Sequence, residues 1–159
     1  TGKRIIDTLK VNMPLVGKNM KKILASRFAR TMSSLLNSGV PLIQALEVTG
    51  KVIDNHIVSA GLEKVSEDIK RGSNLAGPLE RMKIFPAMVV HMVSVGEEAG
   101  TLDSIMGKVA DFYDDEVDTA IGQLISILEP LMIFVLAAVV GSIVVAMILP
   151  VFSMYGNIG

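Results

Sequence analysis

The chain contains no cysteine, and this absence removes several kinds of chemistry. Disulfide bonds, cysteine-zinc sites and thiol nucleophiles all require that side chain. Phosphate-binding loops are absent as well, because the glycines are scattered singly and none of them introduces Gly-Lys-Ser or Gly-Lys-Thr. A serine nucleophile elbow is equally absent. We therefore expect no enzyme activity and no cofactor.

Charge is absent from the last thirty residues, 130–159. Within them, residues 131–149 carry one polar side chain, that of Ser142. A helix rises about 1.5 Å per residue, so roughly 20 apolar residues cross the ~30 Å hydrocarbon core of a bilayer. A core helix of a water-soluble protein needs a polar face, and this stretch has none. We predict a transmembrane helix and a short extracytoplasmic tail in residues 130–159.

The basic residues are concentrated at the opposite end of the chain. Because Thr1 is not an initiator methionine, we expect a preceding segment, and residues 1–22 predict a basic linker beside the membrane. Basic flanks mark the cytoplasmic side, which places residues 23–129 in the cytoplasm. The net charge of −1 suggests no nucleic-acid partner. Eight of the fifteen Lys and Arg residues lie in the first thirty positions: Lys3, Arg4, Lys10, Lys18, Lys21, Lys22, Arg27 and Arg30.

Turn residues divide residues 23–129 into short helices, and no β-strand pattern is present. Gly39 is expected to end the first helix and Pro41 to start the second. Phe85-Pro86 is expected to start the fifth helix and Gly100 to end it. Together these signals predict an all-α fold, a six-helix antiparallel bundle whose last long helix continues into a transmembrane helix. Asp54 or Asn55 is expected to cap the third helix, and Ser73 or Asn74 the fourth.

The sixth helix is expected to run on into the membrane, because nothing between Leu102 and Pro130 indicates a stop. Pro130 lacks a backbone donor and clashes with the preceding turn, which predicts a kink at residues 126–130. Before the membrane, the expected buried seam consists of Leu102, Ile105, Val109, Phe112, Val117, Leu124 and Leu128.

An acidic cluster is the most prominent group of candidate site residues. On a helix, Asp111, Asp114, Asp115 and Asp118 lie near one face. Carboxylate oxygens in such a group could hold calcium or magnesium. A solvated face of the last helix, opposite the buried seam, is the interpretation we favour over a metal site. A third interpretation, intermediate between these two, is that the acidic residues form a docking surface for a basic partner.

The remaining polar candidates favour contact roles over catalysis. Glu97 and Glu98 are adjacent, so they point in different directions and form a poor acid-base pair. His56 and His91 have no second ligand at metal-binding spacing. Glu129 lies at the edge of the apolar run, where a carboxylate can stay wet in the headgroup region. Contact with a neighbouring helix or a translocating polypeptide is the alternative for Glu129.

Small side chains recur along one part of the apolar run. Ala138, Ser142 and Ala146 repeat every four residues, with Gly141 alongside. Small residues at this spacing let helices approach closely in lipid. They predict packing against other membrane helices, from the same longer protein or from a second copy.

Short motifs of residues 38–42, 85–86, 96–102, 112–113 and 129–130 occur in this chain in one order: Ser-Gly-Val-Pro-Leu, Phe-Pro, Gly-Glu-Glu-Ala-Gly-Thr-Leu, Phe-Tyr and Glu-Pro. With these motifs, residues 28–152 resemble the type II secretion F domain. That domain builds the inner-membrane platform proteins of type II secretion systems and type IV pili, the GspF/PilC family. The structural or partner-contact candidates that fall in these motifs are Gly39, Pro41, Phe85, Pro86, Gly96, Glu97, Gly100, Glu129 and Pro130.

The resemblance implies more than the residues themselves do. It implies a multi-pass protein of the bacterial or archaeal-like cytoplasmic membrane, with two copies of the domain, of which this chain is the second. Its partners would be an assembly ATPase on the cytoplasmic side, and pilin or pseudopilin and other platform proteins in the membrane, with homo-oligomers expected. The family brings no catalytic, cofactor or metal residues. Pilus assembly and secretion both use this domain.

Two other classes of protein remain as alternatives. A membrane-anchored adaptor or signalling protein would use the helical domain to bind one partner and would need no preceding membrane helix. An ion-coupled transporter or enzyme would need charged groups within its span, and residues 131–149 have none. We therefore favour the transporter or enzyme least among these classes of protein.

Overall fold

The computed structural model describes the backbone of residues 16–155 and the side chains of residues 17–152. Within these bounds the chain is all-α, without a strand, and the predicted six-helix arrangement with a long last helix is confirmed. The helices are α1 (Val16–Asn37), α2 (Leu42–Val52), α3 (His56–Lys70), α4 (Ala76–Met82), α5 (Ala87–Ala99) and α6 (Leu102–Tyr155).

The chain divides into two compact units between Asp118 and Thr119. In the first unit, α1 to α5 and the beginning of α6 contribute to one apolar core. Burial of such side chains is the main favourable term in folding, at about 25 cal/mol per Å² of apolar surface. The largest side chains with almost no exposed surface are Phe28, Met32, Leu46, Ile53, Leu62, Leu75, Leu79 and Met106.

An aromatic pair joins two distant parts of this core. The ring centroids of Phe28 on α1 and Phe85 lie 4.6 Å apart with the ring planes tilted by 37°. Phe85 is 6 % exposed, and Pro86 immediately precedes the first residue of α5. The Phe-Pro motif therefore does two things: it starts a helix and it places an aromatic ring in the core.

The predicted helix ends are confirmed where the signal is local. Gly39, with φ of 79°, ends α1, and Gly100, with φ of 66°, ends α5. Both values lie in the left-handed region, which residues with a Cβ adopt only with strain. The side chain of Asn55 caps α3 by accepting hydrogen bonds from the backbone N–H groups of Ile57 and Val58.

The first helix begins earlier than the sequence predicted. The proposed linker ended at residue 22, but α1 already starts at Val16, so residues 16–22 are helical. Gly17 lies in the first turn of α1, where a glycine costs little because that turn is only partly hydrogen-bonded. The rest of the expected linker, residues 1–15, lies outside the described residues.

The predicted buried seam of α6 is correct at its start, where Val109 is buried and Leu102 and Ile105 pack against the core, and wrong at three later positions. Phe112 is 46 % exposed, and Leu124 and Leu128 are 54 % and 53 % exposed, so these three side chains are not buried. Phe112 and Tyr113 are adjacent, and the sequence pattern did not distinguish which of them faces the core. The side chains of α6 that are buried are Met106, Val109, Ala110, Tyr113 and Ala120.

The second unit consists of residues 119–159, of which the helical residues 119–155 are described. From Ile121 onward all its side chains up to residue 152 are exposed. By length and composition, α6 contains a stretch apolar enough to cross a membrane. Its assigned helix runs through Pro130 and Pro150, and the kink expected at residues 126–130 stays a prediction.

Replacing one aromatic ring in the core and one outside it tests this core assignment. We expect Phe28→Ala to lower the free energy of unfolding by about 3–5 kcal/mol, because it leaves a cavity beside Phe85. Phe112→Ala should cost much less, about 1 kcal/mol, because its ring is half exposed. Chemical unfolding of the chain in detergent, followed by circular dichroism, measures both. Equal losses would show that the burial of these two rings is misassigned.

Candidate functional site

Glu97 caps the short helix α4 from a neighbouring helix. Its two carboxylate oxygens accept hydrogen bonds from the backbone N–H groups of Leu75 and Ala76, at 2.6 Å and 3.0 Å. The first N–H groups of a helix have no partner within it, and a negative charge is favourable at that end. Glu97 therefore has a structural contact role, and it joins α5 to the start of α4.

The glycines around Glu97 fix the turn into α6. Gly96 is buried, and a Cβ added to it would lie 3.1 Å from Cα of Leu102. At the end of α5, the backbone N–H of Thr101 donates to the Gly96 carbonyl at 2.9 Å. That bond, together with the positive φ of Gly100, is the pattern of a Schellman helix end. The Gly-Glu-Glu-Ala-Gly-Thr-Leu motif thus directs the chain from α5 into α6.

A strip of charged contacts holds α6 against α1. Lys22 forms an ion pair with Glu116 at 2.5 Å. Arg30 pairs with Asp111 at 2.8 Å and with Asp114 at 2.5 Å. The Ser26 hydroxyl donates to the other oxygen of Asp114. We call this set, Lys22, Ser26, Arg30, Asp111, Asp114 and Glu116, the charged strip.

The ionisation of the charged strip follows from these contacts. The hydrogen bond from Ser26 lowers the pKa of Asp114, partial burial opposes it, and Arg30 lowers it further. Hydrogen bonds to Asp114 and then to Asp111 raise the pKa of Arg30. Behind the strip, burial raises the pKa of the Tyr113 phenol, and the charge of Glu116 adds to that effect. These shifts favour the charged forms of Arg30 and Asp114 and the neutral form of Tyr113.

The acidic cluster divides into two parts. Asp111 and Asp114 are engaged by Arg30, whereas Asp115 and Asp118 are exposed and form no ion pair within the described residues. Between residues 16 and 155 no group of acidic or histidine side chains has the arrangement of a metal site. Because Arg30 engages the other two aspartates, an acidic docking surface would consist mainly of Asp115 and Asp118. This docking surface stays a prediction.

A groove between α3 and α4 was missed by the sequence analysis. It has a volume of about 560 Å³ and is lined partly by Gly61, Met82 and Lys64. Arg81, at its edge, pairs with Asp68 at 2.7 Å. The only sequence signal for this groove is the presence of small residues on α3. Because small residues are common on helices, they do not identify a groove by themselves.

The membrane-side candidates all lie on the exposed part of α6. Glu129, Pro130, Ala138 and Gly141 are exposed, and the hydroxyl of Ser142 donates to the Val139 carbonyl at 2.7 Å. The structure brings no second helix to them among the described residues. Their roles in helix packing and partner contact stay predictions.

The basic half of the charged strip was also missed. Lys22, Ser26 and Arg30 are spaced four residues apart and so share one face of α1. The two basic residues of this set were interpreted as part of a basic flank of the membrane. The signal that could have identified the set is its four-residue spacing, combined with the presence of several acidic residues on one part of α6.

Comparison with known proteins gives a consistent result. Residues 28–150 match the family model described as type II secretion system (T2SS), protein F. The type IV pilus assembly protein PilC of Myxococcus xanthus is 43% identical over 157 residues, covering 99% of this chain and 38% of that protein. PilC of Thermus thermophilus is 42% identical over 158 residues, covering 99% and 39%. The type II secretion system protein F of Pseudomonas aeruginosa is 34% identical over 149 residues, covering 94% and 37%.

The coverage has a direct consequence for interpretation. This chain spans 38% of the length of the Myxococcus protein and 39% of the Thermus protein. The functions of those whole proteins therefore apply to this chain only as proposals.

The two neighbouring glutamates of the motif provide a matched pair of variants. We expect Glu97→Ala to lower the free energy of unfolding by about 1–3 kcal/mol, because two N–H groups of α4 lose a charged acceptor. Glu98→Ala should change it by less than about 0.5 kcal/mol, because Glu98 is exposed. Urea unfolding in detergent measures the difference. A similar cost for both variants would contradict the capping role.

The charged strip predicts a dependence of stability on pH. Because the pKa of Asp114 is lower in the folded chain than its ordinary value of 3.8, its contribution is present above that value and is lost as pH falls through the folded pKa. At pH 7 we expect Asp114→Asn to cost about 0.5–1 kcal/mol, discounted for solvent exposure. The cost should disappear toward pH 2.

Asp115→Asn is the matched control for this experiment. Asp115 is the next residue along α6, is exposed and forms no ion pair within the described residues. Its substitution should change the free energy of unfolding little at any pH. A cost for Asp114→Asn that does not depend on pH would contradict the ionic role of the strip.

Proposed function

The chain belongs to the family of type II secretion system protein F, and from this membership we propose that it couples a cytoplasmic assembly ATPase to the polymerisation of pilin or pseudopilin. Its relatives are named for type IV pilus assembly and for type II secretion, and they support a platform protein of such a system. A membrane location follows from the same family and from the candidate span in α6.

The observation that carries the proposal is the continuity of α6. One helix of 54 residues contains both buried side chains of the bundle and the candidate span. Met106, Val109 and Tyr113 lie in the core, whereas residues 131–149 are apolar and exposed. In this proposal a single helix connects the cytoplasmic bundle with the membrane.

The charged strip supports the cytoplasmic half of this proposal. Three ionic side chains of α6 are held by Lys22 and Arg30 of α1. A displacement of the bundle by a partner would therefore be passed to α6 and not lost in a loose contact. Exposed charges of the bundle, with Asp115 and Asp118 among them, are the surface we assign to the ATPase.

The apolar half of α6 is the part we assign to contacts in the membrane. Ala138, Gly141 and Ser142 would let a pilin helix, another platform protein or a second copy approach closely. The chain's own role is structural transmission, with no catalysis of its own. In the full-length protein we expect further membrane helices, which makes the whole protein multi-pass.

Site-specific photo-crosslinking in the living host tests the two assignments. A photoreactive amino acid at Asp115 should give a product with the assembly ATPase, and one at Ala138 should give products with pilin, pseudopilin or another platform protein. The same amino acid at Ser73, exposed in the loop after α3, serves as the control. Products with neither partner at Asp115 and Ala138 would contradict the proposal.

The two prolines of α6 test whether transmission needs a joint at residue 130. We expect Pro130→Ala to reduce pilus assembly or secretion about tenfold at unchanged protein level, since alanine restores the helical hydrogen bond that proline removes. Pro150→Ala, in the same helix, is the control and should retain most activity. Wild-type assembly by the Pro130 variant would rule out a required kink.

A further inference from the structure

The part of α6 that follows Asp118 is longer than the hydrocarbon core of one bilayer. Between residues 119 and 152 the only charged side chain is Glu129. At about 1.5 Å per residue this stretch measures roughly 50 Å, against a hydrocarbon core of about 30 Å. A helix would have to tilt by roughly 50° to fit, which is beyond the ~40° limit seen for membrane helices. Something other than the hydrocarbon core must therefore accommodate part of the stretch.

Pro130 divides the stretch at an informative position. Residues 131–152 measure roughly 33 Å, which matches the hydrocarbon core with little tilt. Residues 119–129 are then left over, with a length of about 16 Å. We call residues 119–129 the collar.

The collar is amphipathic, unlike the apolar run that follows it. At 100° per residue, its apolar side chains fall within an arc of about 160°, and its other residues fall within the opposite arc of about 120°. The five large apolar side chains are all between 47% and 67% exposed. The apolar face contains the exposed Ile121, Leu124, Ile125, Ile127 and Leu128 together with Ala120, which the protein itself buries. The other face contains Thr119, Gly122, Gln123, Ser126 and Glu129.

An exposed apolar face of this size is unfavourable in water, at roughly 1.5–3 kcal/mol for each large side chain that could be buried. The collar adjoins a span that is itself in lipid, so the nearest apolar medium is the boundary of the same bilayer. The interfacial layer is only about 5–8 Å deep, from the difference between the total and hydrocarbon thicknesses. A 16 Å helix fits there only if it is strongly inclined.

Local chemistry at the end of the collar fits such an inclination. Pro130 has no backbone N–H, so the Ser126 carbonyl lacks its usual helical donor. The Ser126 hydroxyl donates to the Gln123 carbonyl at 2.9 Å, which satisfies that side chain within the polar face. Glu129 lies on the polar face, where its carboxylate reaches water or headgroups.

We propose that the collar is a lipid-binding segment that lies inclined in the interfacial layer where α6 enters the bilayer, with its apolar face toward the acyl chains. Amphipathic helices of this kind bind membrane surfaces in proportion to their buried apolar area. The partner is the lipid surface itself. The proposal rests on a membrane span in residues 131–152, but not on coupling to an ATPase.

The absence of native cysteine makes a direct test possible, because any introduced cysteine is the only one in the chain. Single cysteines replace Leu124 on the apolar face, Gln123 on the polar face and Val140 in the span, and each is labelled with a nitroxide. The full chain is reconstituted in phosphatidylcholine and phosphatidylglycerol vesicles. Collision of each label with oxygen, which is enriched in lipid, and with a water-soluble nickel chelate is then measured by electron paramagnetic resonance.

We expect the nitroxide at Val140 to lie deepest in the bilayer, the one at Leu124 to be shallower and the one at Gln123 to be the shallowest. We expect the oxygen-to-nickel collision ratio to be about tenfold higher at Leu124 than at Gln123. Equal, water-like ratios at both collar positions would overturn the proposal, as would a Leu124 label as deep as that of Val140. Low collision with both reagents at Leu124 would indicate a protein neighbour, such as a second copy, in place of lipid. A water-like Val140 would show that the span itself is wrong.

Two glutamate substitutions on opposite faces give a second, independent measurement. With an environment-sensitive fluorophore on a cysteine at position 128, Leu124→Glu should lower the emission about twofold by moving the apolar face toward water. Gln123→Glu adds the same charge to the neighbouring position on the polar face, and should leave the emission unchanged. Equal responses to the two substitutions would overturn the proposal.

Discussion

The rest of the structure depends on the requirement that a single helix be stable in two solvents. The first part of α6 buries Met106, Val109 and Tyr113 in a core surrounded by water, and the later part has no charged side chain from Pro130 onward. A polar face is needed in the first medium and is costly in the second. The composition of α6 therefore changes along its length. Its first part is charged and half-buried, its middle part is amphipathic, and its last part is apolar.

The contacts that fix α6 in the bundle are polar, although the core beneath them is apolar. Glu97 joins α5 to α4, Gly96 allows the close turn into α6, and the charged strip holds α6 against α1. Apolar packing tolerates sliding more readily than directional hydrogen bonds do. The polar contacts therefore set the position of α6 along α1, while the core supplies most of the stability.

Local signals in the sequence predicted more of this molecule than distant ones. The ends at Gly39 and Gly100 follow from local backbone conformation and were correctly predicted. The cap of α3 was narrowed to Asp54 or Asn55, and the structure selects Asn55. The partner of Glu97 lies over twenty residues away, and the charged strip joins residues over eighty apart, so no local pattern contains them. The chain offers two adjacent aromatic residues, Phe112 and Tyr113, and the local pattern does not distinguish them, because only the tertiary fold buries Tyr113 and leaves Phe112 half exposed.

The arrangement of the charged strip has a mechanical consequence. Its contacts follow one another along both helices, with residues 22, 26 and 30 of α1 facing 116, 114 and 111 of α6 in antiparallel order. A pull along the axis of α6 loads them in shear, so that they share the force and would have to fail together. A pull away from α1 would instead peel them apart one at a time. The bundle is thus built to resist axial load more strongly than transverse load.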